Sequence, residues 1–108
     1  MVDDQGGAPT TTRELAPALW DVLRSDAVGV FHAACEGSCT WHGFTAAILA
    51  ACGLCEVTLE PCATREFPRP AARPAYSVLD SSRLAALRGR PLAHWQDALA
   101  AYLAQEPL

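Results

Sequence analysis

Apolar residues near the N-terminus recur with the spacing of one helix face and predict the first helix. The apolar positions lie at i, i+4, i+7 and i+8: Leu15, Leu19, Val22 and Leu23. Thr11 and Glu14 precede them with the spacing of a capping box, in which each side chain accepts a hydrogen bond from the other residue's backbone N–H. Pro17 removes a helical hydrogen bond beyond the first turn. The pattern leaves open whether the helix kinks at Pro17 or begins there.

A second helix is predicted over residues 41–52, and it is apolar on nearly every side. Thr40 is suited to cap its N-terminus, and Gly53 stands where a left-handed residue ends a helix. One face consists of Trp41, Phe44, Ile48 and Cys52. Alanines fill the other faces. Such a helix must be covered on nearly all sides, so we expect Trp41 to belong to the core.

Two more helices are predicted in the last third of the chain. Asp80 or Ser81 can cap a short helix that ends near Gly89. The final helix follows Pro91, and its apolar stripe consists of Trp95, Leu99, Tyr102 and Leu103. The chain is therefore expected to contain about four helices.

Apolar runs outside these helices predict two or three short strands. Residues 28–34 have the length of a buried strand, and residues 56–60 alternate until Pro61 ends them. Residues 76–79 are the candidate third strand, whereas residues 2–12 are rich in Gly, Pro, Thr and Asp and are predicted to form a loop. The expected fold class is α/β, in one domain spanning residues 1–108.

Length and composition limit the chain to one small globular domain or to part of one. It has 108 residues, of which 51% are hydrophobic and 19% are charged. The net charge is −4 and no basic run occurs, so we expect no nucleic-acid partner. All eight basic residues are arginine. This chain therefore supplies no Schiff-base lysine, no phosphate-loop lysine and no Tyr-x-x-x-Lys proton relay.

The uncharged stretch at residues 37–55 is the one membrane candidate, and it is too short. Its strongly apolar centre covers only residues 46–51, whereas a membrane-spanning helix needs about 20 mainly apolar residues. The N-terminus is acidic where a secretory signal needs positive charge. We therefore expect a cytoplasmic chain with no membrane partner.

The cysteines raise a zinc hypothesis that their spacing weakens. Five is an odd number, which favours free thiols over a disulfide framework. Cys35 and Cys39 form one pair and Cys52 and Cys55 another, but a helix of about a dozen residues, about 18 Å long, separates the pairs. Buried thiols acting as small apolar groups are the preferred interpretation. A small zinc-binding module stays as the third alternative.

The proline-rich segment at residues 66–76 carries the clearest candidate ligand-binding chemistry. Arg65, Arg69 and Arg73 stand four residues apart, and the last two lie on a stiff backbone. An arginine fork suits the oxygens of a carboxylate or a phosphate. A solvated loop, with its arginines paired to Glu66 or water, explains the same pattern equally well. The three histidines lie in separate segments and are given no catalytic role.

Five short motifs occur in a fixed order along the chain. They are Val2-x-Asp4-Gln5-x-Gly7-x-Pro9-Thr10, Gly29-Val-Phe-His32 with Trp41 and Phe44 after it, Glu66-Phe-Pro68, Arg73-Pro74-x-Tyr76-Ser77-x-Leu79-Asp80, and Pro91-Leu92 before Trp95. In order and spacing they resemble the C-terminal part of the dTDP-4-dehydrorhamnose reductase family. The resemblance covers almost all of the chain.

The resemblance implies part of an extended short-chain dehydrogenase/reductase. Its family uses NADPH or NADH to reduce dTDP-4-dehydro-L-rhamnose to dTDP-L-rhamnose for cell-surface polysaccharide. The glycine-rich turn and the Tyr-x-x-x-Lys relay belong to the family's N-terminal Rossmann half, and neither occurs here. The resemblance thus implies the sugar-nucleotide-binding C-terminal half, with no cofactor bound by this chain, no hydride transfer by it alone, and the missing Rossmann half as its partner.

The resemblance assigns roles to two residues only. Arg73 matches an arginine that meets the nucleotide diphosphate in extended members of the superfamily. Gln5 matches a loop that borders the substrate cleft, near the sugar. No residue is assigned to catalysis, to cofactor binding or to a metal. A non-catalytic interaction or regulatory module is the alternative, because relatives of this reductase act as regulatory subunits on the same scaffold. Self-association is expected as well, since residues 28–34 are apolar on both faces.

Overall fold

Four helices and one two-stranded sheet form the computed structural model, which describes residues 1–105. In chain order the elements are β1 (Gly6–Gly7), α1 (Thr12–Leu23), β2 (Cys39–Thr40), α2 (Trp41–Ala51), a 3-10 turn (Thr64–Glu66), α3 (Ser82–Arg88) and α4 (Trp95–Gln105). The strands pair antiparallel, with Gly6 opposite Thr40 and Gly7 opposite Cys39. The predicted α/β class with about four helices and two or three short strands is confirmed, although the two strands lie outside the segments predicted to form them.

Helix α1 begins where its capping residue predicts. The Thr11 hydroxyl accepts a hydrogen bond from the Glu14 N–H at 3.4 Å. The Glu14 carboxylate accepts instead from the Ala93 N–H at 3.0 Å, so this side chain ties α1 to the loop before α4. Pro17 lies inside the helix and neither begins nor ends it.

The ends of α2 and α3 also follow predicted residues. The Thr40 hydroxyl accepts from the Gly43 N–H at 3.0 Å, which satisfies one of the free donors at the start of α2. At the start of α3 the carboxylate of Asp80 accepts from the Ser82 N–H at 2.9 Å. Gly53, just beyond α2, and Gly89, at the end of α3, both have positive φ angles, +68° and +74°.

The strand predicted over residues 28–34 is wrong for this structure. The Arg83 guanidinium donates to the carbonyl oxygens of Val28 at 2.7 Å and Val30 at 2.9 Å, and it lies 4.2 Å from the centre of the Phe31 ring. The Arg83 side chain therefore occupies two carbonyl oxygens that, in a strand, would accept hydrogen bonds from the backbone of a neighbouring strand. The side chains of Val28 and Val30 are 80% and 74% exposed.

Neither of the other two predicted strands is present as a strand. No strand covers residues 56–60, and the nearest pairing is one parallel bridge between Val2 and Cys62. In residues 76–79, Tyr76 forms one parallel bridge with Gly6. The observed strands lie instead at β1, inside the predicted N-terminal loop, and at β2. The pairings of β1, β2, Cys62 and Tyr76 all involve the N-terminal segment, whose Gly-rich sequence gave no alternating pattern, whereas one further bridge joins Glu36 and His94.

The core lies between α1, α3 and α4. Its buried members on these helices are Ala18 of α1, Leu84 of α3, and Trp95, Ala98 and Leu99 of α4, and Cys35 and Leu92 of the connecting segments join them. Phe44 of α2 meets Trp95 edge-to-face, with ring centres 5.9 Å apart. Trp95 is thus a core residue, as the sequence predicts.

Helix α2 is less covered than its apolar sequence requires. None of its residues is buried, and Trp41 is 55% exposed. The expectation that Trp41 belongs to the core is therefore wrong. Its place in the first turn, directly after Thr40, directs it toward the N-terminal segment and the proline-rich loop rather than toward α4.

The chain is flatter and more exposed than a self-contained domain of its size. Its radius of gyration is 15.9 Å, where about 13 Å is usual for this length. Its accessible surface is 7464 Å², against about 5,800 Å² for a compact monomer of this mass. No helix in residues 1–105 is long and apolar enough to cross a membrane.

Candidate functional site

The N-terminal segment lies between α2 and the proline-rich loop and hydrogen-bonds to both. The Asp3 N–H donates to the Cys62 carbonyl at 3.0 Å, and the Gly6 N–H donates to the Ala75 carbonyl at 2.8 Å. On the other side, the His42 N–H donates to the Val2 carbonyl at 3.0 Å. These bonds fix the backbone on both sides of Gln5.

Side chains of the same segment hold the start of the 3-10 turn. The Asp4 carboxylate accepts from the backbone N–H of Thr64 at 3.0 Å and also from its hydroxyl. Gln5 Nε2 donates to the Thr64 hydroxyl oxygen at 3.0 Å. The hydrogen bonds from the Thr64 hydroxyl and N–H hold the pKa of Asp4 below its usual value. Asp4 and Thr64 therefore orient Gln5.

A parallel arrangement ties the segment to the start of α2. The Thr40 hydroxyl donates to the Asp3 carboxylate while it accepts from the Gly43 N–H. His42 Nδ1 lies 3.8 Å from the same carboxylate. This network fixes the first turn of α2, from which Trp41 projects.

Two cavities adjoin this framework, and three residues line both of them. The smaller cavity measures about 460 Å³ and the larger about 740 Å³. The residues common to both are Gln5, Trp41 and Arg73. The glycines of β1 and the hydroxyls of Thr10, Thr40 and Ser77 line the smaller one. Thr64, Phe67 and Arg69 line the larger one.

The structure brings together the two residues predicted to bind substrate. Gln5 and Arg73 are separated by most of the chain, yet both line both cavities. Of the other two arginines in the candidate series, Arg69 lines the larger cavity and Arg65 lines neither. The three regularly spaced arginines therefore do not all line the same cavity.

Three cavity residues escaped the sequence analysis. Trp41 was assigned to the core because an aromatic residue on an apolar helix usually belongs there. Thr64 and Phe67 lie in a proline-rich segment without periodicity, so no pattern indicated where their side chains point. Hydrogen bonds between the N-terminal segment and Cys62, Thr64 and Ala75 bring this segment to the cavity.

The histidines serve separate local roles. His94 Nδ1 accepts from the Gln96 N–H at 3.3 Å at the start of α4, and His42 lies beside Asp3. Neither of these, nor His32, lines either cavity. They do not form a shared acid–base site.

The five cysteines are free, and they are distributed over the molecule. Cys39 lines the smaller cavity and Cys62 the larger one, while Cys55 is exposed elsewhere. Burial raises the pKa of the Cys35 and Cys39 thiols. In residues 1–105 no three His, Cys, Asp or Glu side chains come close enough together to hold a metal ion. The zinc hypothesis thus finds no ligand set there.

The glycines near this site do not form the glycine-rich turn of a dinucleotide-binding motif. A Cβ added at Gly6 would lie 3.3 Å from the Tyr76 ring, and one at Gly7 would lie 3.3 Å from the Ser77 hydroxyl. These glycines allow the backbone to approach the loop that carries Arg73. They lie within β1 itself, and residues 8–11, between β1 and α1, contain no glycine.

The chain is a unit of the α/β class with two cavities whose linings share an arginine and an amide. The sequence matches the family described as the RmlD substrate binding domain over residues 1–107. The chain belongs to this family.

Individual relatives agree with that assignment. The chain is 41% identical to a dTDP-4-dehydrorhamnose reductase of Mycobacterium tuberculosis, covering 96% of this chain and 34% of the relative. It is 38% identical to the spore coat polysaccharide biosynthesis protein SpsK of Bacillus subtilis, covering 95% of this chain and 35% of the relative. The chain therefore spans about a third of the length of these curated relatives.

Solved structures of reductases share its fold. A dTDP-4-dehydrorhamnose reductase of Clostridium acetobutylicum superposes with a TM-score of 0.89 at 35% identity, covering 100% of this chain and 39% of that one. A dTDP-4-dehydrorhamnose reductase of Bacillus anthracis, in complex with NADP, gives a TM-score of 0.85 at 28% identity, covering 96% of this chain and 36% of that one.

Proposed function

We propose that this chain is the sugar-nucleotide-binding part of a reductase that converts dTDP-4-dehydro-L-rhamnose to dTDP-L-rhamnose. The observation that carries the proposal is that Arg73 and Gln5 both line two cavities. The Arg73 guanidinium supplies paired donors for a diphosphate, and the Gln5 amide supplies neutral polar groups for the sugar. The names of the relatives support the choice of a dTDP-sugar.

Hydride transfer requires a second, cofactor-binding half. The chain has no lysine for a Tyr-x-x-x-Lys relay, and its sequence contains no G-x-G-x-x-G motif. In the complete enzyme NADPH or NADH would supply the hydride, and the residues of this chain would bind and orient the sugar nucleotide. The NADP complex of the Bacillus anthracis relative supports this division of labour.

The partner half would cover apolar surface that this chain leaves exposed. The outer side of α1 carries Leu19, Trp20 and Leu23 at 52%, 59% and 75% exposure. Val28 and Val30 are also exposed, on a segment that has no strand partner. The surface in excess of a compact monomer is about 1,700 Å², which corresponds to about 3,400 Å² over both partners and lies in the range that obligate interfaces bury. The free thiols fit a reducing cytoplasm.

Titration calorimetry with dTDP-L-rhamnose tests the binding function directly. We expect the 108-residue chain to bind the sugar nucleotide and the Arg73→Ala variant to bind it at least tenfold more weakly. In parallel, the chain alone should consume no NADPH with the keto sugar nucleotide. A chain that binds no dTDP-sugar would support the interaction-module alternative, and NADPH consumption by the chain alone would contradict the proposed division of labour.

A further inference from the structure

A third cavity lies apart from the candidate functional site and is lined mainly by charged residues. It measures about 390 Å³, and its lining consists of Asp21, Arg24, Ser25, Leu87, Arg88 and Arg90. None of these residues lines either of the cavities at Gln5 and Arg73. We call this cavity the arginine groove, because three of the eight arginines of the chain line it. A chain of net charge −4 therefore concentrates positive charge at this place.

Arg88 is the buried cation of the arginine groove. Its side chain is only 4% exposed, and its Nε donates to a carboxylate oxygen of Asp21 at 2.8 Å. Its Nη1 is buried and has no hydrogen-bond partner among the described residues. A guanidinium has five N–H donors, and a buried charge is costly unless it is paired. The carboxylate of Asp21, which is 44% exposed, therefore compensates this cation only in part.

Arg24 and Arg90 add two exposed cations to the groove. Neither of them forms an ion pair or a cation–π contact within residues 1–105. The backbone at Arg24 is fixed, because its N–H donates to the Trp20 carbonyl at 3.0 Å. The Ser25 hydroxyl donates to the Val22 carbonyl at 2.8 Å, so its proton is already used. The donors that are left for a ligand belong to the arginines.

The charges in the groove match those of a phosphate group. Three guanidinium groups against the one carboxylate of Asp21 leave a net charge of +2. A phosphate monoester carries a charge of about −1.5 to −2 at pH 7 and has three acceptor oxygens. These oxygens suit the planar fork of arginine. A monocarboxylate brings one negative charge and two oxygens, so it would satisfy fewer of the donors.

Stabilisation of helix ends accounts for only part of this arrangement. Arg24 is the C-cap of α1, and Arg88 is the last residue of α3. Cations at these positions stabilise the partial negative charge of a helix C-terminus. That role does not explain why Arg90, beyond the end of α3, lines the same groove, or why Nη1 of Arg88 is buried without a partner.

We propose that the arginine groove binds a phosphate group, as the free ion or as a phosphate ester, between Arg24, Arg88 and Arg90. Arg88 supplies the buried charge, and the two exposed arginines flank the bound group. The site goes beyond the proposed function and does not depend on it, because the groove shares no lining residue with the sugar-nucleotide cavities.

Modification of arginines with phenylglyoxal tests the site residue by residue. Inorganic phosphate, replacing chloride at constant ionic strength, should slow modification of Arg24 and Arg90 severalfold, as followed by mass spectrometry of the 108-residue chain. Arg13 is the matched control, because it is exposed near the start of α1 and lines none of the three cavities. Equal rates in phosphate and chloride, or equal protection of Arg13, would overturn the proposal.

Two further anions separate the possible sources of the ligand. Protection by phenyl phosphate at least as strong as by inorganic phosphate assigns the site to a phosphate ester, and protection by inorganic phosphate alone assigns it to the free ion. Both results support the proposal. Equal protection by acetate would show that any anion suffices, which contradicts a site for phosphate.

Substitutions measure the contribution of the groove to binding. Arg90→Gln leaves the Asp21–Arg88 contact in place and should weaken phosphate binding by about tenfold or more. Affinity is obtained from the rise in melting temperature with phosphate concentration. Arg13→Gln removes the same charge elsewhere and should bind phosphate like the unmodified chain. If the rise is lost in Arg73→Ala but kept in Arg90→Gln, phosphate binds at the sugar-nucleotide cavities, and the arginine groove is refuted while the proposed function stands.

Discussion

Gly37 lies directly against the imidazole ring of His94, and no side chain fits between them. Gly37 has a φ of +79°, and an added Cβ would overlap Nε2 of His94. The contact joins the segment before β2 to the start of α4, where the Glu36 N–H donates to the Ala93 carbonyl at 3.0 Å. Glycine is required here for both its backbone conformation and its lack of a side chain.

Gly37→Ala should therefore lower the free energy of unfolding by more than the conformational penalty alone, by about 1–3 kcal/mol, because the exposed His94 ring must also turn away. Gly53→Ala is the matched control, because Gly53 also has a positive φ, +68°, but open space around it. That control should cost only about 1 kcal/mol. Chemical denaturation measures both, and equal losses would show that the His94 contact is unimportant.

Capping residues and proline allowed the helices to be predicted, because these signals act within a few residues. Thr40 and Gly53 bound α2 in the sequence and in the structure. Strands are different, since a strand exists only beside a partner. Residues 28–34 have strand-like composition, but no segment of residues 1–105 pairs with them, and Arg83 bonds to their carbonyl groups instead. The strand pairing of Gly6 and Gly7 depends on contacts with Cys39 and Thr40, far along the chain.

The candidate site, like the fold, could be predicted from the sequence only in part. Arg73 and Gln5 were found through the resemblance to a family, and the structure brings both to the cavities. Trp41 was missed because the burial of a helix face depends on the elements that pack against it. The sequence of α2 alone does not identify those elements. Phe67 was missed because its segment has no period from which an orientation could be inferred.

Arg83 should hold residues 28–31 in their observed conformation. Arg83→Ala removes two hydrogen bonds to backbone carbonyls and the contact with the Phe31 ring. Since these groups are partly exposed, we expect a loss of about 1–2 kcal/mol and faster hydrogen exchange at residues 28–34. Arg83→Lys should recover only part of this, because a single ammonium cannot span both carbonyls in the same plane. Unchanged exchange in Arg83→Ala would show that other contacts fix the segment.

Asp4 should make the N-terminal segment sensitive to acid. Because the Thr64 hydrogen bonds lower the pKa of Asp4 in the folded state, its stabilising contribution is complete above the ordinary aspartate pKa, about 3.9. That contribution is lost as the pH falls through the lowered folded value. The melting temperature should fall less steeply below pH 4 in Asp4→Asn than in the unmodified chain, and Glu60→Gln should leave the steepness unchanged. Identical pH profiles for all three would contradict a role for the Asp4–Thr64 contact.

Arg73 and Arg65 provide a matched pair for the diphosphate contact. In the enzyme completed by its cofactor half, Arg73→Ala should raise KM by about 10- to 150-fold, since a charge-assisted hydrogen bond contributes about 1.5–3 kcal/mol. Arg65 lines neither cavity, so Arg65→Ala should change KM little. Arg73→Lys should restore binding only in part, because a point charge lacks the planar fork. Small and equal effects at both positions would favour a solvated loop.

The exposed apolar surface should make the isolated chain self-associate. Leu19, Trp20 and Leu23 on α1 are more than half exposed, as are Val28 and Val30. Covering such surface is worth about 25 cal/mol per Å², and patches above a few hundred Å² are unusual on monomers. We expect the 108-residue chain to sediment as a concentration-dependent oligomer and to bind a hydrophobic dye, and addition of the cofactor-binding half should suppress both.

A charged substitution on α1 tests whether this surface causes the self-association. Leu23→Glu, at the most exposed of the large hydrophobic residues on α1, should reduce self-association and dye binding without unfolding the chain. Leu54→Glu is the control, because Leu54 is 44% exposed but lies beyond the end of α2. If the unmodified chain sediments as a compact monomer, unfolds cooperatively and binds no dye, then these 108 residues form a self-sufficient domain. In that case the extra accessible surface does not serve to dock a second half.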